Sequence, residues 1–201
     1  MSRFIKNLLS KIFGANVSNN GKNNEIKQGK NVYFRKVKIK IYGNNNTIDI
    51  KDNTYLHNVT MQIGFKDSPI NNCHITIGER TKFNSCNMFL GESNSFIEIG
   101  QDSMFSFNVE ITCSDTHSIL DKDNNLINRG ESVIIGNKVW VCKNVSIMKN
   151  TQIPNNCIVA QGCIVTKKFT QDNCIIAGIP SKIIKENIHW DNARPEKYKK
   201  V

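Results

Sequence analysis

The chain of 201 residues is long enough for one good-sized domain, and its 39% hydrophobic and 22% charged residues are typical of a soluble globular protein. No apolar run approaches the roughly 20 residues that a transmembrane helix needs, and residues 1–14 lack the cleavage site of a secretory signal. The seven cysteines form no C-x-x-C pair, which argues against a disulfide framework or a zinc knuckle and favours buried free thiols in a reducing cytoplasm.

The formal net charge of +10 is concentrated at the two ends of the chain. Residues 1–40 contain ten Lys or Arg and one acidic residue, residues 182–201 contain six and three, and residues 41–181 are near neutral. Basic ends can face nucleic acid, an anionic membrane surface or an anionic substrate. Because no basic patch with interleaved aromatic residues and no nucleic-acid-binding motif is present, we do not expect a nucleic-acid partner.

Residues 1–40 are predicted to form an N-terminal helix and a lead-in to the main domain. Apolar residues in this region follow helical spacing, namely Phe4, Ile5, Leu8, Leu9, Ile12 and Phe13. This pattern predicts a short amphipathic helix. Such a helix either caps the open end of the domain or makes a peripheral contact with a membrane surface, and the sequence leaves both roles open.

Residues 41–181 contain a repeat with a period of six. The clearest aliphatic series is Ile135, Val141, Ile147, Ile153, Val159 and Val165. Neither an α-helix nor a set of hairpins has this period. It predicts a coil with three flat faces, each a short strand, in which the aliphatic residue points inward and Asn or Gly turns the corner.

The repeat is interrupted over residues 112–134, and it ends before the C-terminus. We predict that residues 112–134 form one long loop extended out of the coil, and long loops in compact domains are usually functional. Residues 182–201 are polar and basic and are predicted to form a C-terminal tail.

Three motifs near the C-terminus carry a resemblance to a known family. They are IGNKVWV at 135–141, AQGCIVTK at 160–167 and AGIPSK at 177–182. In this order and at this spacing they resemble the hexapeptide-repeat acetyltransferases. The stretch 104–119, from Met-Phe-Ser to Asp-Thr-His-Ser-Ile, is similar to the capsule and surface-polysaccharide O-acetyltransferases of that family.

The resemblance implies a left-handed parallel β-helix that forms homotrimers, with active sites between neighbouring coils. It also implies a cytoplasmic enzyme that transfers acetyl from acetyl-CoA to a hydroxyl of a capsular or other surface polysaccharide. No metal is expected. Four departures from the family pattern affect the expected contacts with CoA: Cys142 and Ala160 stand where the family usually has glycine, Cys163 replaces a small Ser or Ala, and Lys168 replaces an acidic residue.

Acetyl transfer to an alcohol needs a base for the hydroxyl proton, stabilisation of the oxyanion and alignment of two substrates. By resemblance His117, in the predicted loop, is the general base of a direct transfer, since histidine titrates near neutral pH. Asp115 is expected to orient its ring, although a backbone carbonyl could do so instead. A covalent route through Cys113 is a minor alternative.

Two further residues are predicted to contact the acceptor. Trp140 is too large for the inside of a narrow coil, so it is expected to face outward, and the resemblance places it beside the acceptor and the thioester. Asn87 is a weaker match to an asparagine that assists the acceptor in some relatives. The residues expected to bind CoA lie in the last turns of the coil and include lysines for the phosphates: Ala160, Gly162, Lys167, Lys168, Gly178, Pro180 and Lys182.

Three other functions remain open from the sequence. The acceptor could be an amino sugar or nucleotide-sugar, which would give N-acetylation. The coil could be a non-catalytic scaffold at a membrane surface, which would leave His117 and Trp140 without a role. A carbonic-anhydrase-like zinc enzyme would need three histidine ligands, and His57, His74 and His117 lack the family spacing.

Overall fold

The computed structural model describes residues 14–198, and the predicted N-terminal helix, with its proposed cap or membrane contact, lies outside them. The described residues form 21 strands and one 3-10 turn at Pro195–Lys197, with no α-helix among them. In chain order the strands are β1 (Asn16–Asn20), β2 (Glu25–Gln28), β3 (Tyr33–Arg35), β4 (Lys38–Tyr42), β5 (Thr47–Ile50), β6 (Tyr55–His57), β7 (Val59–Ile63), β8 (His74–Ile77), β9 (Lys82–Phe83), β10 (Cys86–Leu90), β11 (Phe96–Ile99), β12 (Met104–Phe105), β13 (Val109–Thr112), β14 (Val133–Ile135), β15 (Trp140–Val141), β16 (Ser146–Ile147), β17 (Thr151–Ile153), β18 (Ile158–Val159), β19 (Ile164–Val165), β20 (Ile175–Ala177) and β21 (Lys182–Lys185).

The strands wind into a coil with three flat faces, a parallel β-helix. The first sheet has the order β1-β4-β7-β10-β13-β16-β19, the second β2-β5-β8-β11-β14-β17, and the third β3-β6-β9-β12-β15-β18-β20-β21. Successive strands therefore lie on successive faces, and three strands make one turn. Neighbouring strands within a sheet are parallel, except that β21 folds back antiparallel on β20.

The coil begins at Asn16, within the region predicted as a lead-in, rather than near residue 41. The period of six does not reveal the first turns because these are longer than the later ones. Partners in adjacent turns are 22 residues apart near the N-terminus, where Asn23 contacts Asn45. They are 18 apart near the C-terminus, where Asn137 contacts Asn155. The additional residues lengthen the strands of the first and second sheets, for example β4 and β5 with five and four residues against two and three in β16 and β17, so the inward faces still stack.

The core is a set of columns inside the coil, because strand residues alternate between the inside and the outside. One column descends the first sheet through Ile39, Met61 and Met88, all at most 1% exposed. Another contains Phe83 and Phe105, whose rings stack at 4.4 Å with an interplanar angle of 15°. Each turn thus covers the apolar side chains of the next.

Asparagines turn many of the corners, as predicted. At the corner between the first and second sheets, Asn23, Asn45, Asn72 and Asn94 all have φ between 56° and 63°. Their side-chain amides form a ladder, with Nδ2 donating to the next Oδ1 at 3.1, 3.3 and 3.1 Å. Asparagine suits this position because it tolerates the left-handed conformation better than other residues with a Cβ.

Replacing Asn45 by alanine is expected to destabilise the coil by about 1–2 kcal/mol, because alanine pays the cost of the left-handed conformation. Asn45→Gly is the matched control. Asn45→Gly removes the same hydrogen bonds of the ladder, but glycine adopts positive φ freely. The loss of stability should therefore be clearly smaller than in Asn45→Ala. Chemical denaturation at one fixed protein concentration measures both. Equal losses would mean that the ladder, rather than the backbone conformation, selects asparagine.

Residues 113–132, which include most of the predicted loop, connect β13 to β14 and contain one antiparallel bridge between Leu120 and Leu126. Partners across this turn are 36 residues apart, for example Asn108 and Asn144. Within residues 14–198, no helix is long and apolar enough to cross a membrane.

Candidate active site

His117 lies in the connection between the first and second sheets, with an exposed side chain. Its main-chain N–H donates to the Asp115 carbonyl at 2.8 Å, and its own carbonyl accepts from Asn128 Nδ2 at 2.8 Å. Between them Thr116 adopts a φ of 65°. The backbone of His117 is therefore held on both sides, while the imidazole is open to an incoming substrate.

The Asp115 carboxylate fastens this segment to the coil. Its Oδ2 accepts from Lys149 Nζ at 2.5 Å and from Asn128 Nδ2 at 2.9 Å, and Lys149 also donates to the Asn128 carbonyl at 2.7 Å. The hydrogen bond from Lys149, with that from Asn128, holds the pKa of Asp115 below its usual value. No hydrogen bond joins this carboxylate to the His117 ring within residues 14–198, so the orienting role of Asp115 stays a prediction.

Lys149 and Asn128 were not among the predicted site residues. Lys149 follows β16 and Asn128 precedes β14, and only the path of the connection brings both to Asp115. A polar residue at a corner gives no sequence signal of such a contact.

Trp140 lies on the outer face of the third sheet, as predicted, and is partly buried. In register it stands between Met104 and Ile158. Its ring lies 6.0 Å from the ring of Trp190 at an angle of 47°. Trp190 is 8% exposed, and its Nε1 donates to the Lys138 carbonyl at 2.8 Å. The basic tail is therefore packed against the coil, and a tryptophan in an otherwise polar segment was the signal for this.

His117 and Trp140 lie on different parts of one chain. The connection that carries His117 leaves the corner between the first and second sheets, whereas Trp140 lies on the third sheet. Asn87 is exposed on the outer face of the first sheet, where it is in register with Thr60 and Glu110. Its strand thus adjoins β13, from which the His117 segment departs.

The predicted CoA-binding residues fall into two groups. Ala160 and Gly162 lie at the corner between the third and first sheets, beside the hairpin that contains Gly178, Pro180 and Lys182, and the Cys163 thiol donates to the Gly178 carbonyl at 3.4 Å. Gly162 and Gly178 have φ of 73° and 94°, and no atom lies within 4 Å of a Cβ built on Gly162. Exposed backbone of this kind suits close approach of a ligand.

Lys167 and Lys168 form the second group. They follow β19 and are exposed at the corner between the first and second sheets, where Lys168 pairs with Gln152 in an isolated bridge. This is the corner from which the His117 segment departs. The structure therefore brings the two lysines to the side of the coil that carries the predicted base.

Cys113 is buried, and its Sγ donates to the Phe96 carbonyl at 3.4 Å. Burial raises the pKa of its thiol to about 12. A nucleophilic cysteine needs the opposite environment, exposed and with a lowered pKa. The geometry therefore gives no support to the covalent alternative.

Alkylation should distinguish the cysteines. At pH 8 we expect iodoacetamide to modify the part-exposed Cys142 at least about ten times faster than Cys113. Burial raises the pKa of both thiols, but it raises that of Cys113 to about 12 and also shields Cys113 from the reagent. Peptide mass spectrometry after timed quenching gives both rates. Denatured protein serves as the control in which both thiols react. Rapid labelling of Cys113 in the folded protein would revive the acyl-enzyme route.

His57, His74 and His117 lie in β6, in β8 and in the connection after β13. Among the described residues, no three His, Cys, Asp or Glu side chains form a group that could hold a metal ion.

No protein-family model matches the sequence. The chain is 37% identical over 171 residues to a polysialic acid O-acetyltransferase of Neisseria meningitidis, covering 85% of this chain and 76% of that protein. Its fold superposes on the polysialic acid O-acetyltransferase OatWY with a TM-score of 0.80 and 30% identity, over 92% of this chain and 93% of the other. For the polySia-specific acetyltransferase NeuO the TM-score is 0.68 at 28% identity, over 90% and 84%. The chain belongs to the hexapeptide-repeat acetyltransferases, in the group of the capsule-polysaccharide O-acetyltransferases.

Proposed function

We propose that the protein transfers an acetyl group from acetyl-CoA to a hydroxyl of a sialic-acid polymer of a bacterial capsule. The similarity to polysialic acid O-acetyltransferases along most of the chain carries this proposal. The open imidazole of His117, on a backbone fastened by Asp115 and Lys149, supports it because a base must be presented to a bulky acceptor.

In the proposed reaction, His117 takes the proton of the sugar hydroxyl as its oxygen attacks the thioester carbonyl. The tetrahedral oxyanion then collapses and its C–S bond breaks. The CoA thiolate leaves and recovers the proton from the imidazolium. Backbone N–H groups near Gly162 and Gly178 are suited to hold the pantetheine arm, and Lys167 and Lys168 to hold phosphates.

We also propose that the coil is left-handed and that three chains assemble with active sites between them. Two observations support shared sites. His117 and Trp140 lie on different faces of one chain, so a base from one chain can meet the tryptophan of the next. The His117 segment also exposes Ile119, Leu120 and Ile127 at 54%, 51% and 62%, apolar surface that a neighbouring coil would cover.

A glycan panel tests the proposed function. We expect polysialic acid to stimulate release of CoA from acetyl-CoA and to gain O-acetyl esters, detected by mass spectrometry and by their lability to mild base. An amino-sugar acceptor that gains a base-stable amide would instead favour N-acetylation. If acetyl-CoA binds but no glycan of the panel stimulates release of CoA, the proposed acceptor is contradicted. A folded protein that does not bind acetyl-CoA would favour the scaffold.

Complementation tests the shared sites. His117→Ala and Trp140→Ala chains should each be inactive, and co-refolded at equal amounts they should recover about a quarter of wild-type activity, since a random interface then pairs an intact His117 with an intact Trp140 in one case of four. Each variant refolded alone is the control. If both residues served the same chain's site, the mixture would stay inactive.

A further inference from the structure

The C-terminal segment forms one wall of a cleft on the outer face of the third sheet, next to Trp140. Its volume is about 760 Å³. Trp190 holds the segment there through its hydrogen bond to the Lys138 carbonyl and its contact with the Trp140 ring. The charged and aromatic residues that line it include Arg80, Lys82, Asp102, Lys138, Trp190 and Asp191.

Two of the cations that line the cleft form no ion pair with the carboxylates of the described residues. Arg80 donates to both oxygens of Asp102 at 2.6 and 2.8 Å, so this pair is satisfied. Asp191 accepts from the Tyr198 hydroxyl at 2.5 Å. Lys82 and Lys138 take part in no ion pair within residues 14–198. Lys138 is near enough to Asp102 and Asp191 to help lower the pKa of both carboxyls, although the hydrogen bonds from Arg80 and Tyr198 contribute most. The cleft therefore offers an anion two ammonium groups that form no direct ion pair, beside two carboxylates that already have hydrogen-bond partners.

The cleft lies next to Trp140 of the predicted acceptor site, because its lining residues Trp190 and Met104 both neighbour Trp140. Lys82 pairs in register with Met104, and Met104 with Trp140, so the three side chains occupy successive turns of one outer column. At the spacing of neighbouring strands, Lys82 lies about 10 Å from Trp140 along this face. One sugar unit stacked on Trp140 would thus place the next unit of a polymer in the cleft.

We propose that this cleft binds the carboxylate of an acceptor sugar unit adjacent to the one that is acetylated, with Lys82 and Lys138 as its cationic partners. The chemistry of the acceptor rests on the proposed function, whereas the location and charge of the cleft do not. The C-terminal segment, through Trp190, forms one wall of the subsite, and the two lysines make the enzyme selective for a polymer with acidic sugars.

Charge-removing variants that keep the local shape test the subsite. Lys82→Met matches the neighbouring Met104. Lys138→Asn suits a corner at which Lys138 has a φ of 54° and Asn53 and Asn156 have 58° and 57°. In the double variant we expect the KM for polysialic acid to rise at least about tenfold, since one charge-assisted hydrogen bond is worth that much. The kcat and the KM for acetyl-CoA should change less than about twofold.

The control is Lys27→Met, an exposed lysine on the second sheet and outside the cleft. This variant should leave kcat and both KM values unchanged. A double variant with the wild-type KM for polysialic acid would overturn the subsite and leave the proposed function intact. A wild-type enzyme that acetylates no glycan would overturn the proposed function instead.

Fluorescence measures binding without turnover. Trp140 and Trp190 are the two tryptophans of the chain, so in a Trp140→Phe variant the emission comes from Trp190 alone. Polysialic acid should shift this emission saturably, and the same polymer with its carboxylates reduced to alcohols should not. Adding Lys82→Met and Lys138→Asn should abolish the shift. An equal response to both polymers, or to neither, would overturn recognition of a carboxylate here.

Discussion

Replacing His117 with glutamine is expected to lower kcat at least about 100-fold and to leave the melting temperature unchanged. A positioned general base typically contributes 10²–10⁴ in rate, about 3–5 kcal/mol of the barrier. The imidazole is exposed and belongs to no part of the core. Its loss should therefore remove the proton acceptor and leave packing intact. Initial rates with polysialic acid and a thermal melt measure the two quantities.

Asp115→Asn and Lys149→Met form a matched pair of controls for His117. Each breaks the ion pair that fastens the segment while keeping the imidazole. If that attachment positions the base, both variants should lose activity to a similar, intermediate extent, and Lys149→Met should not add to Asp115→Asn when combined. Wild-type rates in His117→Gln would remove the histidine from the mechanism. A loss of activity in His117→Gln together with a lowered melting temperature would indicate that His117 has a structural role.

The pH at which the Asp115–Lys149 ion pair is lost follows from the direction in which the pKa of Asp115 is shifted. Its pKa is lowered in the folded protein, chiefly by the hydrogen bond from Lys149. The ion pair is therefore complete above the ordinary aspartate value of 3.8 and is lost only as the pH falls through a lower value. A fall in activity at weakly acidic pH would then report protonation of a group other than Asp115.

The sequence was sufficient for the coil wherever turns are 18 residues long, because the inward aliphatic residues then recur at every sixth position. It was insufficient near the N-terminus. There, turns of 22 residues break the period, although the inward Ile39 and Ile48 still stack on Met61 and Ile75. The strands of the first and second sheets are longer there, and the alternation of inward and outward residues within a strand does not encode where that strand ends.

For the candidate site, residue types were predictable and their grouping was not. His117 and Trp140 stand out by chemistry and by resemblance. The attachment of Asp115 to Lys149 depends on how the connection folds back on the coil. The packing of Trp190 on the third sheet depends in the same way on the antiparallel return of β21. Both are long-range consequences of chain path, which single-sequence patterns do not record.

Phe83→Ala is expected to cost about 3–5 kcal/mol, the range for removing a large aromatic side chain from a packed core. Phe83 is fully buried, and its loss also removes the stack with Phe105 at 4.4 Å. Phe107→Ala is the matched control, because Phe107 is 52% exposed and surface changes usually stay within about 0.5 kcal/mol. Denaturation curves at one protein concentration keep any effect of assembly constant between variants.

The position of Phe83 in the coil gives this prediction a second observable. Each turn of a solenoid contacts only its neighbours, so a cavity at β9 weakens the contacts to β6 above it and β12 below it. Hydrogen exchange should therefore accelerate first in β6, β9 and β12, while the C-terminal turns around β18 keep their protection. Uniform acceleration along the whole coil would mean that it unfolds as a single cooperative unit, and the cost of the cavity would then be shared by every turn.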